Sequence, residues 1–285
     1  MKYSICSDTF PDLELEQIFR YAAGLGYQAV ELAPYSFCNS VMEVSPAERN
    51  KIRKWAEEAG IEITGLHAIF ASIPGIKPRF ACPPGLQLNS PDPGTRLKTK
   101  EYLKEVVKFC RDVGGKVVVF GSASARNVLE GMSYDDAWQS ARGIFRECSE
   151  LAGQYGVNLC IEPIHASVTN FINTPEEAVK MVEDVGHPNF RWIFDTMLDT
   201  WSRKCQGVGI AQAIEKFGDS LAHVHANDDN KSWPGSGGID FNSIARALKS
   251  INYDGYISVE VFDLSPNPET VATEAIKYLK KVFAF

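Results

Sequence analysis

Residues 157–196 read VNLCIEPIHASVTNFINTPEEAVKMVEDVGHPNFRWIFDT, and this stretch decides the fold. It opens on a short apolar run, NLCIE at 158–162, with the length of a buried parallel strand. A polar loop follows, then a helical pattern, PEEAVKMVEDVG, with Thr174 placed as its N-cap and Pro175 at its first position. A second apolar run, RWIFD at 191–195, completes it. Strand, helix, strand in this order is one β/α unit of a parallel sheet. Both runs end on a carboxylate, Glu162 and Asp195.

Toward the C-terminus the unit repeats, with LAHVH ending on His225 and YISVE ending on Glu260. The four terminal residues are separated by 33, 30 and 35 positions. Toward the N-terminus, KYSIC, AVELA, IEITGLHA and KVVVFG supply four more strand-like runs. Helical patterns lie between them: LELEQIFRYAAGLG after Asp12, a segment from Ser45–Pro46 with Glu48 as capping-box partner, and a helix from Thr95 to Val113. DDAWQSARGIFRECSELAGQYG, IAQAIEKFG, FNSIARALKS and PETVATEAIKYLKKVF continue the alternation. Eight strands and eight helices without a linker predict an α/β chain with one (β/α)8 TIM-barrel domain over residues 1–285. A doubly wound sheet would place a glycine-rich turn after its first strand, where this chain has SDTFPD. Between Phe70 and Thr95, six prolines and three glycines predict a long loop over the barrel top.

The 285 residues, 45% of them hydrophobic, suffice for one large core. A formal charge of −7, from 29 basic and 36 acidic residues, offers no broad positive surface, so nucleic acid is not an expected partner. Seven scattered cysteines with no CxxC pair fit a reducing cytoplasm. No apolar stretch approaches the roughly 20 residues of a membrane helix, and no signal pattern precedes YSIC, so a soluble, cytoplasmic protein is expected.

In a closed barrel, Glu162, Asp195, His225 and Glu260 would converge above the C-terminal ends of four successive strands. An acidic residue at a strand end is commonly a turn or cap residue. The set says more than its members, because carboxylates directed into a barrel mouth are costly to desolvate and a divalent cation offsets that cost. Three carboxylates and one imidazole suit Mn²⁺ first, then Mg²⁺, with Co²⁺ and Zn²⁺ also accommodated.

Longer motifs surround these positions: GYQAVEL at Glu31, GLHA at His67, IEP at Glu162, INTPEEA, FDT at Asp195, HVHANDD at His225, PGSGGIDF and GYISVEVF at Glu260. Over essentially its whole length the chain resembles the sugar isomerases and epimerases with a xylose-isomerase-like barrel, a family that includes ketose 3-epimerases, hydroxypyruvate isomerase and inosose dehydratase. The resemblance implies that Glu162, Asp195, His225 and Glu260 bind one divalent ion, commonly Mn²⁺. It further implies that Glu162 and Glu260 form the acid/base pair. Such an ion polarises a carbonyl and stabilises an enediolate, while two carboxylates remove and return a proton. The implied activity is that of a sugar isomerase or epimerase acting on a ketose or related keto-sugar. In this family dimers and tetramers are common, so a homo-oligomer is an expectation.

The chain departs from the family pattern at several positions. Leu198 stands where many members carry a histidine, His165 and Val168 replace polar sugar contacts, and Lys231 occupies an arginine position. A substrate other than a known ketohexose is therefore expected. Candidate substrate contacts are His67, Glu31, His165, Lys231 and Trp201. His67 serves equally as a satisfied core group, Glu31 as its partner, Lys231 as an exposed side chain and Trp201 as packing. Other functions compatible with the residues are a dehydratase (lyase) on the same metal site, an apurinic-endonuclease-like metallonuclease, and a non-catalytic sugar-binding barrel.

Overall fold

In the computed structural model, which describes residues 1–197 and 209–283, the apolar runs pair as parallel neighbours in chain order and close into a barrel, β8 beside β1. The strands are β1 (Lys2–Cys6), β2 (Ala29–Leu32), β3 (Glu62–Leu66), β4 (Val117–Phe120), β5 (Asn158–Ile161), β6 (Phe190–Asp195), β7 (Leu221–Ala226) and β8 (Tyr256–Val259). Around them lie α1 (Leu15–Leu25), α2 (Pro46–Ala59), α3 (Pro93–Val113), α4 (Tyr134–Tyr155), α5 (Pro175–Val185), α6 (Ile210–Phe217), α7 (Phe241–Ser250) and α8 (Pro268–Val282). This is a (β/α)8 TIM barrel.

Strand side chains alternate, and the two faces meet different surroundings. Ile5, Val30, Val118, Leu159, Phe194 and Ile257 join the large core shared with the helices. Val117, Val119, Cys160 and Ile193 form a separate apolar cluster from β4, β5 and β6. On the other side, polar groups reach one another between strands that are not neighbours. Ser4 on β1 meets Thr64 on β3 at 2.7 Å, and Glu31 on β2 meets His223 on β7 at 2.8 Å. Such contacts place these side chains inside the barrel, so its interior is apolar on one flank and hydrogen-bonded on the other.

Helix starts follow the sequence signals. Ser45 and Glu48 form the expected capping box, and Thr174 caps α5. Helix α3 begins at Pro93, two residues before the expected start, because Asp92 accepts a hydrogen bond from the Thr95 amide at 2.7 Å and Pro93 suits the first helical position. The proline-rich segment before it holds no helix or strand between Leu66 and Pro93. It packs Ile73 and Ile76 against Ala33 and Tyr35, making a small core of its own. Short 3-10 turns after β1, β2 and β4, which the apolar periodicity does not announce, place Asp8, Tyr35 and Arg126 at the same end of the barrel. That end is also tied to the long loop: Leu88 N–H donates to the Ala125 carbonyl at 2.7 Å, and the Asn89 amide donates to the Arg126 carbonyl at 2.5 Å. Among the described residues, no helix is long and apolar enough to cross a membrane.

Closure between β3 and β4 depends on Gly65, where a Cβ would lie 1.8 Å from the Val117 carbonyl oxygen. Gly65→Ala forces the two strands apart, and such overpacking costs about 1–3 kcal/mol and occasionally more. A clear fall in the urea midpoint is expected; an unchanged midpoint would show that β3 and β4 tolerate separation.

Candidate active site

Four successive strands, β5 to β8, each deliver one residue at or beside their C-terminal end to one place. Asp195 is the last residue of β6, His225 lies near the end of β7, and Glu162 and Glu260 follow β5 and β8 directly. Each offers one ligand atom, and the four atoms lie within 4.8 Å of one another. His225 Nδ1 is 2.9 Å from Glu260 Oε2 and 3.9 Å from Glu162 Oε1. Glu162, Asp195 and Glu260 line a cavity of about 410 Å³, and His225 is fully buried beneath them.

A surrounding layer of side chains fixes this cluster. Both oxygens of the fully buried Glu31 are engaged by imidazoles, one by His223 Nε2 at 2.8 Å and the other by His225 Nε2 at 3.1 Å. That contact turns His225 so that Nδ1, a buried atom with no well-directed hydrogen bond, faces the carboxylates. Carboxylate–imidazole pairs of this kind orient metal-ligating histidines. Asn227 donates through its amide to Asp195 Oδ2 at 2.8 Å and to the Glu260 carbonyl at 2.9 Å. The second Asp195 oxygen accepts from the Met197 amide at 2.7 Å. His67 Nδ1 lies 2.9 Å from Glu260 Oε1 and its Nε2 3.4 Å from Asp8, which in turn accepts from the Tyr35 hydroxyl. Arg126, fully buried, donates to the Glu162 and Phe120 carbonyls at 2.5 Å each. Gly121 leaves room for the Glu162 carboxylate, since a Cβ there would lie 2.0 Å from Oε2.

The three carboxylates share charge unequally. Burial, and then the Glu260 charge, push the Glu162 carboxyl up to about 7. Burial and the charges of Glu260 and Glu162 raise Asp195 as well. Burial opposes ionisation of Glu260 too, but His225 and His67 outweigh it and hold this carboxyl well below the usual range. For His225, burial disfavours the charged form, yet Glu260 and Glu31 raise it above its ordinary value. Three carboxylate ligands and an oriented, otherwise unpartnered imidazole nitrogen form a donor set that fits a divalent cation.

Of the residues singled out as substrate contacts, His67, His165 and Lys231 line the cavity. His67 has both ring nitrogens turned to carboxylates, and Lys231 is exposed at the rim with its backbone at φ 70. Glu31 requires a correction: it neither lines the mouth nor bonds His67, because both its oxygens are taken by His223 and His225 inside the barrel. Trp201 and Leu198 lie outside the described residues. Phe70 packs on Phe120 and Tyr102 in the core. Sequence reasoning missed Asn227, Asp8, Tyr35 and Arg126. Asn227 stands in the motif HVHANDD two positions after His225, a usable signal; Arg126 follows VVVFGSAS with nothing to mark it.

Comparison with known proteins gives the family. The family model described as xylose isomerase-like TIM barrel matches residues 19–282, and the chain belongs to that family. D-psicose 3-epimerase of Agrobacterium fabrum is 28% identical over 242 residues, covering 84% of this chain and 76% of the relative. 3-Dehydro-D-guloside 4-epimerase of Escherichia coli is 23% identical over 95% of both chains. The crystal structure of D-psicose 3-epimerase with D-tagatose from Clostridium cellulolyticum H10 superposes with a TM-score of 0.81 at 21% identity, covering 99% of each chain.

The charge distribution sets the pH response of chelator-treated protein. Glu162 moves from an ordinary 4.5 to about 7, so between these values the folded chain holds a proton that the unfolded chain has released. Stability therefore falls as pH rises through this window. Asp195 and His225, both raised, act in the same direction, whereas the stabilisation from Glu260 is lost only on going below 4.5. Melting temperature in chelator should fall from pH 5.5 toward neutrality, and a divalent cation, which competes with these protons, should flatten the slope. A melting temperature that rises over that interval would contradict the charge assignment.

Proposed function

We propose that this member of the family is a sugar epimerase or isomerase in which Glu162, Asp195, His225 and Glu260 hold one divalent cation, Mn²⁺ first, and Glu162 and Glu260 exchange a proton with a ketose or related keto-sugar. The observation that carries the reading is the convergence of four ligand atoms within 4.8 Å at the floor of a cavity. The relatives support it, being named as epimerases of D-psicose and of 3-dehydro-D-guloside. They favour epimerisation over the dehydratase alternative.

A bound divalent cation supplies positive charge that polarises a carbonyl and stabilises the negative charge left when the neighbouring C–H loses its proton. The chain's own residues do the rest. Glu162 and Glu260 come from the outer two of four consecutive strands, with Asp195 and His225 between them. One glutamate accepts the C–H proton and leaves an enediolate; the other delivers a proton to the opposite face for epimerisation, or to the adjacent carbon for isomerisation. His67 holds one oxygen of Glu260, and Arg126 holds the backbone of Glu162, so each carboxylate keeps its position while its protonation changes. Asp195, fixed through both oxygens, and His225, fixed through Nε2, serve as ligands.

Deuterium uptake at the substrate carbon tests the reading. Glu260→Gln and Glu162→Gln should each lower exchange by about 10²- to 10⁴-fold with the fold retained, since general acid/base catalysis contributes that much. Full exchange in either variant would end the acid/base assignment. Gly121→Ala, which drives a methyl into the Glu162 carboxylate, should weaken Mn²⁺ binding and exchange together without changing the circular dichroism spectrum; unaltered Mn²⁺ affinity would remove Glu162 from the ligand set.

A further inference from the structure

Beside the four ligands, toward β1, lies a second group of metal-binding side chains, and the reaction proposed above gives two of its members, Cys6 and Asp8, no part. Cys6 ends β1, Asp8 sits on the 3-10 turn that follows it, and His67 follows β3 directly. All three are buried. Each offers one ligand atom, a sulfur, a carboxylate oxygen and an imidazole nitrogen, and the three atoms lie within 4.8 Å of one another.

His67 carries the argument. Its Nδ1 is 2.9 Å from Glu260 Oε1, but its buried Nε2 has no hydrogen-bond partner. Asp8 Oδ1 stands 3.4 Å from that nitrogen, beyond the roughly 2.7–3.2 Å of an N–H···O hydrogen bond. An ion that binds a nitrogen and an oxygen at about 2.0–2.1 Å in tetrahedral array holds those two atoms about 3.3 Å apart. The separation therefore suits two ligands of one ion better than a donor and its acceptor. The contacts around the group are those of outer partners to metal ligands. The other Asp8 oxygen accepts from the Tyr35 hydroxyl, Cys6 Sγ lies 3.6 Å from the Ser258 hydroxyl, and Glu260 engages the second imidazole nitrogen. Cys6 also lies near Glu31 and His225, but both Glu31 oxygens are held by imidazoles, which leaves Asp8 and His67 as the pair with ligand atoms to spare.

We propose that Cys6, Asp8 and His67 form a second cation site, separate from the oxygen-rich cluster and selective for Zn²⁺. A thiolate, an imidazole and one carboxylate suit zinc, whereas three carboxylates and an imidazole suit Mn²⁺, so donor type sorts the two ions. Binding releases the Cys6 thiol proton to solvent, and three protein ligands leave a fourth position for a water. Zinc on Nε2 leaves the ring proton on Nδ1, so His67 donates to Glu260 Oε1 and the two sites meet through this one imidazole.

Co²⁺ stands in for zinc in the test, because a thiolate–cobalt bond gives a charge-transfer absorption that the oxygen-rich cluster cannot produce. Chelator-treated protein titrated with Co²⁺ should develop this band to saturation, and added Zn²⁺ should abolish it. C6S should lack the band, and D8N should weaken Co²⁺ affinity by at least the about 10- to 100-fold that loss of an outer partner costs. E162Q, which alters only the oxygen-rich cluster, should keep the band, and all three variants should retain the circular dichroism spectrum. No band with Cys6 intact, or a band undiminished in C6S or unweakened in D8N, overturns the site; its loss in E162Q overturns the separation of the two sites. Where C6S does not fold, the zinc-edge X-ray absorption spectrum of the unaltered protein, loaded with Mn²⁺ and one equivalent of Zn²⁺, decides. A sulfur neighbour at about 2.3 Å upholds the site, and oxygen and nitrogen neighbours alone overturn it.

Discussion

Three carboxylates that cannot all be charged without a counter-ion set the terms for the top of this barrel. Glu162, Asp195 and Glu260 are each nearly buried, and their ligand atoms lie within 4.8 Å of one another and of an imidazole nitrogen. In so desolvated a place like charges raise one another's pKa values, as Glu162 and Asp195 record. The neighbouring groups are what such a cluster needs in order to stay assembled. Asn227 ties Asp195 to the backbone of Glu260, His67 links Glu260 to Asp8 and Tyr35, and Glu31 clamps the imidazole from below.

The division of the barrel interior follows from the same constraint. A hydrogen-bonded flank made by β1, β2, β3, β7 and β8 carries Ser4, Thr64, Cys6, Ser258, Glu31 and the histidines. The opposite flank, from β4 to β6, is filled with valine, isoleucine and cysteine. Buried polar groups thereby find partners on one side, and close packing without polar atoms stiffens the other. Arg126 links the apolar flank to the site: its guanidinium spans the ends of β4 and β5, and burial lowers its pKa to about 10 against the opposing effect of Glu162.

Much of this was legible in the chain. Period and punctuation marked the strands and helices because buried parallel strands leave uninterrupted apolar runs and helix starts need capping side chains. The four convergent residues were legible for a topological reason, since a repeat of fixed hand delivers every strand end to the same face. Glu31 was misplaced because its function depends on a contact across the barrel with His223 and His225, 192 and 194 residues away, and no local pattern encodes such a distance. Arg126 and Asp8 sit on short turns whose positions are fixed by tertiary hydrogen bonds rather than by propensity. The start of α3 slipped by one cap, where Asp92 outranked Thr95.

The loop between β3 and α3 is moored at its far end to the turn that holds Glu162, through Leu88 to Ala125 and Asn89 to Arg126. Its near end carries Ile73 and Pro74 into the cavity. The part that meets the distal end of a ligand and the part that steadies the reacting end are therefore modular but share an anchor. Relatives with a different segment between Ala71 and Gln87 could acquire new specificity while inheriting the same reaction, provided the two moorings at 88 and 89 persist. Variation in such a barrel is then channelled into one span of loop, leaving the chemistry as the invariant that successive substrates inherit.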